Sequence, residues 1–232
     1  MHLPGAFAEF VAVPTGNCHR VAQNVSFEEA CTAEPLAVGV HAVRLTPVGL
    51  GDSVVIVGSG VIGLMLLQAS GVAGAGKIYV TDLVDYRLRK AEELGADFVI
   101  NAGREDPVQR IMGLTDMKGV DRVLEAVGTQ TSVQQAMKMT KNGGVVTVLG
   151  VLESTMNLDV LSTVVREIQI KGSYAYVPTD IDLALDLIAA GKVDVKPLIT
   201  HVFSLDDIRK GFEVLEGKKE EVIKVVIRPS LS

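Results

Sequence analysis

Residues 53–63, Ser-Val-Val-Ile-Val-Gly58-Ser-Gly60-Val-Ile-Gly63, constrain this chain more than any other stretch. An apolar run ends in a glycine-rich turn, and a helical pattern opens directly after it. Asp82 follows 19 residues beyond Gly63, at the end of the next apolar run. In a dinucleotide site each of these parts has a task. Gly58 allows the tight turn, Gly60 lets the main chain approach a pyrophosphate, and Gly63 lets the helix lie close to the strand. The N–H groups and dipole of a helix starting at Val61 then face the phosphates. A GxGxxG pattern alone is weak; the preceding strand, the following helix and the spaced acid make it specific.

Asp82 closes Lys77-Ile-Tyr-Val-Thr-Asp82. A carboxylate there accepts hydrogen bonds from both ribose hydroxyls of NAD and repels the additional phosphate of NADP. The competing reading makes Asp82 a helix cap, but Asp85 is better placed to cap the helix 86–94. Arg87 could pair with a 2′-phosphate. With Asp82 unpaired in front of it, Arg87 is read as lying along the adenosine and the coenzyme as NAD.

Strand-like runs at 53–57, 77–81, 97–100, 121–126, 145–149 and 168–172 alternate with helical patterns at 61–70, 86–94, 105–113 and 130–139. An irregular stretch, 151–167, precedes the last of these runs. The alternation reads as an α/β fold with a doubly wound parallel sheet, a Rossmann architecture. Lys141-Asn-Gly-Gly144 reads as a helix stop before the fifth strand. Residues 6–13 read as a strand ended by Pro14. Ser26-Phe-Glu-Glu29 is a capping box that opens a helical region reaching Leu45 and containing Pro35. Helices over 179–190 and 205–216 and a strand over 222–227 complete the chain.

The 232 residues suffice for one large core. A net charge of −6 and the absence of a basic run exclude a nucleic-acid surface. No apolar stretch reaches membrane-spanning length, and no secretory signal is visible, so neither nucleic acid nor membrane is expected as a partner. Cys18 and Cys31 have no metal-ligand spacing, and both are read as buried or half-buried thiols of a cytoplasmic protein. His41, in a largely apolar helix, reads as a satisfied structural histidine, and neither it nor His201 is assigned as a general base.

Phe7-Ala-Glu-Phe-Val-Ala-Val-Pro14, Glu34-Pro-Leu-Ala-Val-Gly-Val-His41, the glycine turn, Asp82, Arg87-Leu-Arg-Lys-Ala-Glu-Glu-Leu-Gly-Ala-Asp97 and Lys196-Pro-Leu-Ile-Thr-His201 occur in this order. Together they resemble the zinc-dependent medium-chain alcohol dehydrogenases, and the Glu-Pro-Leu-Ala-Val-Gly stretch resembles their sorbitol (polyol) branch. The resemblance implies a Rossmann domain over 35–178, with remnants of a GroES-like catalytic domain at 1–34 and 179–232. It implies NAD as cofactor, an alcohol as substrate, zinc as Lewis acid in complete members, and homo-oligomers formed through the edge strands of the sheet.

It also implies site residues. Val38 and Ile62 lie against the nicotinamide. Ala126, Val127 and Gly128 lie under the adenine-side ribose. Leu149, Gly150 and Val151 offer main-chain groups to the carboxamide, and Lys224 supplies a cation near the phosphates. Ala175 stands where polyol dehydrogenases often carry an arginine. The family's zinc ligands lie in a preceding segment that this sequence lacks. Only Glu34 occupies a position that the family places on or behind the zinc; read by itself it is a helix acid before Pro35. The chain looks like a dehydrogenase that binds coenzyme with impaired turnover. The alternatives are a non-catalytic NAD-binding or interaction module and a zinc-independent reductase of the same superfamily.

Overall fold

A computed structural model describes residues 5–217 and 221–229. Two short-range events shape its beginning. The capping box forms: Ser26 N–H donates to Glu29 Oε2 (3.0 Å) and Glu29 N–H to Ser26 Oγ (3.3 Å). The helix it opens, α1 (Phe27–Ala30), ends after one turn, and α2 (Ala33–Leu45) starts afresh. Pro35 explains the division. It has no N–H, and its ring would strike the carbonyl of residue 31 in a continuous helix, whereas the first turn of a new helix accommodates it. The single helical region expected from the sequence is therefore two helices.

Strands and helices then alternate: β1 (Ser53–Val57), α3 (Val61–Ala73), β2 (Lys77–Asp82), α4 (Asp85–Glu93), β3 (Phe98–Asn101), α5 (Pro107–Leu114), β4 (Val120–Glu125), α6 (Gln130–Met139), β5 (Thr140–Val148), α7 (Val160–Val165) and β6 (Gln169–Gly172). Among the described residues these strands form a six-stranded parallel sheet in the order β3-β2-β1-β4-β5-β6. The doubly wound sheet read from the sequence is the one observed. In β1, Val54 to Val57 are all buried, as expected for a central parallel strand covered on both faces. Val54 and Ile56 enter one core with α2, α3 and Ala184; Val55 and Val57 enter the other with Ile111, Ala136 and Met139. The period-two alternation of β1 thus joins both layers.

Several local expectations give way. Lys141 to Gly144 lie within β5, where the register with β4 shifts between Val120 and Arg122. The stretch read as irregular holds α7, capped by Asp159, whose carboxylate accepts from Ser162 N–H (2.9 Å). Residues 6–13 form no strand. A strand is a ladder, and no neighbour pairs with this segment among the described residues. Phe7 instead meets Phe212 edge-on, at 6.1 Å. Cys18 and Cys31 are exposed rather than buried: Cys18 lies on a segment that enters neither core, and Cys31 is the residue that ends the one-turn α1.

After the sheet come α8 (Pro178–Ala189), β7 (Ile199–Ser204), α9 (Ile208–Gly217) and β8 (Lys224–Arg228). β7 and β8 form a separate parallel pair, with α9 as the crossover. Asp180, fully buried at the start of α8, ties that helix to α2. It accepts from Arg44 Nη1 (2.5 Å) and from Val177 N–H (3.0 Å) and lies 2.8 Å from His41 Nδ1. His41 is the satisfied histidine that the sequence suggested.

Candidate functional site

The strand order reverses between β1 and β4, which leaves a crevice beyond the carboxyl ends of these strands. The glycine turn fills it. Gly58 is left-handed (φ +93°), and a Cβ there would sit 2.7 Å from Val127 Cγ2. A Cβ on Gly63 would fall 1.8 Å from the Gly58 carbonyl oxygen, so α3 can seat on the turn only with glycine at that position. Gly60 faces open space. The first hydrogen bond of α3 runs from Leu64 N–H to the Gly60 carbonyl (3.0 Å). The N–H groups of Val61, Ile62 and Gly63 therefore have no intrahelical acceptor, and no side chain caps them. The Ser59 hydroxyl in the same turn is buried without a hydrogen-bond partner.

Asp82 holds this turn against β2. Its Oδ2 accepts from Ser59 N–H (2.6 Å), and its Oδ1 from Leu83 and Val84 N–H (2.8 and 2.9 Å). Asp82 is thus paired, contrary to the sequence reading. It also organises the entry to α4, where Asp85 had been expected to cap. Asp85 is instead the first residue of α4, and its carboxylate takes Asn101 Nδ2 (2.7 Å) and Arg104. A carboxylate offers about four acceptor sites, so three main-chain donors leave Asp82 one, on Oδ2.

A cleft of about 410 Å³ opens in front of Asp82. It gathers Gly58, Asp82, Arg87, Val127 and Thr129 from four separate segments, with apolar walls from Val84 and Ala102. Its size and lining suit a nucleoside. Ala126 N–H bonds the Val57 carbonyl (2.9 Å) and so continues the sheet toward Gly128. Gly128 (φ +82°) and Gly150 touch main chain to main chain: a Cβ on Gly150 would lie 2.0 Å from Gly128 N. Val151 is exposed, and Leu149 packs against the first core.

Sequence reasoning missed two residues. Glu125, the last of β4, is fully buried. Its Oε1 accepts from Val127 and Gly128 N–H (2.9 and 2.8 Å), and its carbonyl accepts from Leu149 and Gly150 N–H (2.8 and 3.1 Å). The available signal was an acid within an apolar run, Val123-Leu124-Glu125-Ala126-Val127. Tyr176 was the second. Burial raises its phenol pKa, and the neighbouring Glu34 carboxylate raises it further. It follows Ala175, a non-glycine residue at φ +52°.

Glu34 stands in the first turn of α2 and is exposed. Among the described residues no group of three or more His, Cys, Asp or Glu side chains could hold a metal. Lys224 opens β8, outside the lining of the cleft. Although Cys31 is exposed as a residue, its surroundings desolvate the thiol and raise its pKa, and the nearby Lys224 ammonium opposes that shift. No helix among the described residues is long and apolar enough to cross a membrane.

Comparison with known proteins gives this geometry its context. Residues 61–190 match the family described as zinc-binding dehydrogenase. The chain is 37% identical to sorbitol dehydrogenase of Bos taurus over 214 residues, covering 91% of this chain and 59% of that protein. It is 38% identical to L-idonate 5-dehydrogenase of Vitis vinifera over 229 residues, covering 96% and 62%. Among solved structures, alcohol dehydrogenase TADH from Thermus sp. ATN1 superposes with a TM-score of 0.89 at 33% identity, over 97% of this chain and 66% of that one. The chain thus spans about three-fifths of the length of these curated relatives. A match over more than half of its residues, on a sheet and glycine turn of this kind, shows that the chain belongs to the zinc-binding dehydrogenase family, as a sorbitol-dehydrogenase-like member.

Proposed function

We propose that the chain is the coenzyme-holding part of an NAD-dependent polyol or alcohol dehydrogenase. The observation that carries this reading is the cleft that gathers Asp82 and Arg87 with Gly58, the first residue of the glycine turn that leads into the uncapped start of α3. The residues fit a dinucleotide on two counts: Gly60 leaves open space where a pyrophosphate approaches, and the Ser59 hydroxyl is buried without a partner.

In this reading the adenosine occupies the cleft, and Arg87 lies along it. Asp82 accepts from one ribose hydroxyl with its remaining acceptor site, and its charge disfavours a 2′-phosphate. The N–H groups of Val61, Ile62 and Gly63, aided by the dipole of α3, hold the pyrophosphate, with Lys224 as a further cation. Val38 and Ile62 pack against the nicotinamide ring. Ala126, Val127 and Gly128 lie under the adenine-side ribose, and Leu149, Gly150 and Val151 offer main-chain groups to the carboxamide. When bound, NAD supplies the hydride acceptor for the carbinol carbon of a secondary alcohol. Tyr176, beside the Glu34 carboxylate, forms the polar edge near the start of α2.

The described residues do not fit zinc, since Glu34 is a single carboxylate and a catalytic zinc takes three protein ligands. We therefore expect the chain by itself to bind coenzyme with little alcohol turnover. We also propose a homo-oligomer through the open edge of β6, beside which Val160, Leu161, Val164 and Val165 of α7 are exposed. The two exposed thiols suit a reducing compartment, the cytoplasm.

Titration with NADH and with NADPH, followed by nicotinamide emission, tests the coenzyme assignment in a chain that contains no tryptophan. NADH is expected to bind at least tenfold more tightly than NADPH. Equal affinities would remove Asp82 from its assigned role, and binding of neither would refute the reading as a whole.

A further inference from the structure

Burying a carboxylate is costly unless donors surround it, and a strand core offers few. Glu125 is fully out of solvent, yet only Oε1 is satisfied; Oε2 has no hydrogen-bond partner. An apolar residue, like Val123 and Leu124 before it, would suit the core better. Retained half-satisfied groups of this kind need an explanation other than packing. The pattern of bonds supplies one. Side chain and carbonyl together collect four main-chain N–H groups, two from the turn after β4 and two from the turn after β5. Those turns already touch through Gly128 and Gly150, at distances where neither glycine can take a Cβ. One residue thereby fixes both turns as a single rigid floor.

The two halves of the site depend on this residue differently. The adenosine half rests on Asp82, whose three main-chain bonds hold the glycine turn and the entry to α4. The turn after β4 serves both halves: Val127 lines the adenosine cleft, while Gly128 lies against Gly150 of the turn after β5, over which the other half of the coenzyme extends. We propose that Glu125 is a positioning residue for the nicotinamide half of the coenzyme, acting through these main-chain amides and not by touching the ligand. The proposal rests on the coenzyme reading above and adds to it the residue that orients the reacting ring.

Three variants and two ligands test it. Glu125→Ala removes the side-chain acceptor, Glu125→Gln keeps a carbonyl oxygen for the Val127 and Gly128 amides, and Glu125→Asp keeps the charge but withdraws it by one methylene. The ligands are NADH and ADP-ribose, the latter lacking the nicotinamide. For Glu125→Ala we expect NADH affinity to fall about tenfold or more, with loss of the emission enhancement, while ADP-ribose affinity stays within about threefold. Glu125→Gln should restore NADH binding to near the unmodified level. Where the alanine variant does not fold, as judged by far-UV circular dichroism, the aspartate variant carries the test with the same split. A parallel loss of both ligands, or no change in either, would overturn the proposal. If the unmodified chain binds ADP-ribose and NADH equally poorly, the coenzyme reading itself fails, and this outcome is distinct from a variant effect.

Discussion

Asp180 allows a perturbation whose size can be worked out bond by bond. Replacing it with alanine removes three interactions from a site with no solvent access. The bond to Val177 N–H at the start of α8 is of the capping kind, about 1 kcal/mol. The contact with His41, whose side chain is 20% exposed, involves a charged partner and contributes about 1.5 kcal/mol. Arg44 is 58% exposed and returns to water when its partner is lost, so its share is discounted to about 0.5 kcal/mol. The sum is about 3 kcal/mol, which for a chain of this length corresponds to a fall in Tm of about 6–12 °C. Thermal unfolding followed by far-UV circular dichroism measures it. Asp180→Asn, which keeps one acceptor, should cost about half as much. A loss below about 1 kcal/mol for Asp180→Ala would mean that α2 and α8 are joined by their apolar faces alone.

Asp121, at the opposite end of the sheet, gives a pH dependence. Burial pushes its carboxyl upward, but hydrogen bonds from Lys141 and Ser53 and the Lys141 charge outweigh this and hold it at about 2. A depressed folded-state pKa stabilises the fold above the ordinary carboxylate value of about 4, and this stabilisation disappears as the pH falls toward 2. Urea midpoints should therefore drop between about pH 4 and pH 2, and less so in Asp121→Asn; identical acid profiles would exclude the residue. For assembly, sedimentation velocity should show an oligomer that Leu161→Glu dissociates, whereas a monomeric unmodified chain would refute the β6 edge as an interface.

The parts legible in the sequence were those fixed by local stereochemistry. Gly58 and Gly63 are required by a backbone angle and a contact that no other residue meets, and β1 is apolar at every buried position because both its faces are covered. What escaped reading depends on partners distant in sequence. Glu125 passed unremarked within the run 121–126 because its four donors come from two turns, one of them 24 residues downstream at Leu149. Residues 6–13 have strand composition but no ladder neighbour among the described residues. Asp82 was read as free because the bond from Ser59 crosses from one βα turn to the next. The break between α1 and α2 was readable and was missed: Pro35 tolerates only a first-turn position.

The small sheet of β7 and β8 behaves differently from the large one when the chain breathes. Each of its strands has one neighbour and one open edge among the described residues, and β7 has no fully buried residue. Gly211 of α9 lies against Val225 and Ile227, with Phe203 beyond, so helix and ribbon form a compact unit of their own. Amide protons of such a unit exchange with solvent through its own local opening, well before the global unfolding that exposes those of β1. Exchange there would slow markedly on addition of any third strand to either edge, while β1 would exchange at an unchanged rate. The ribbon thus serves as a built-in reporter, read amide by amide, of whether anything has docked beside it.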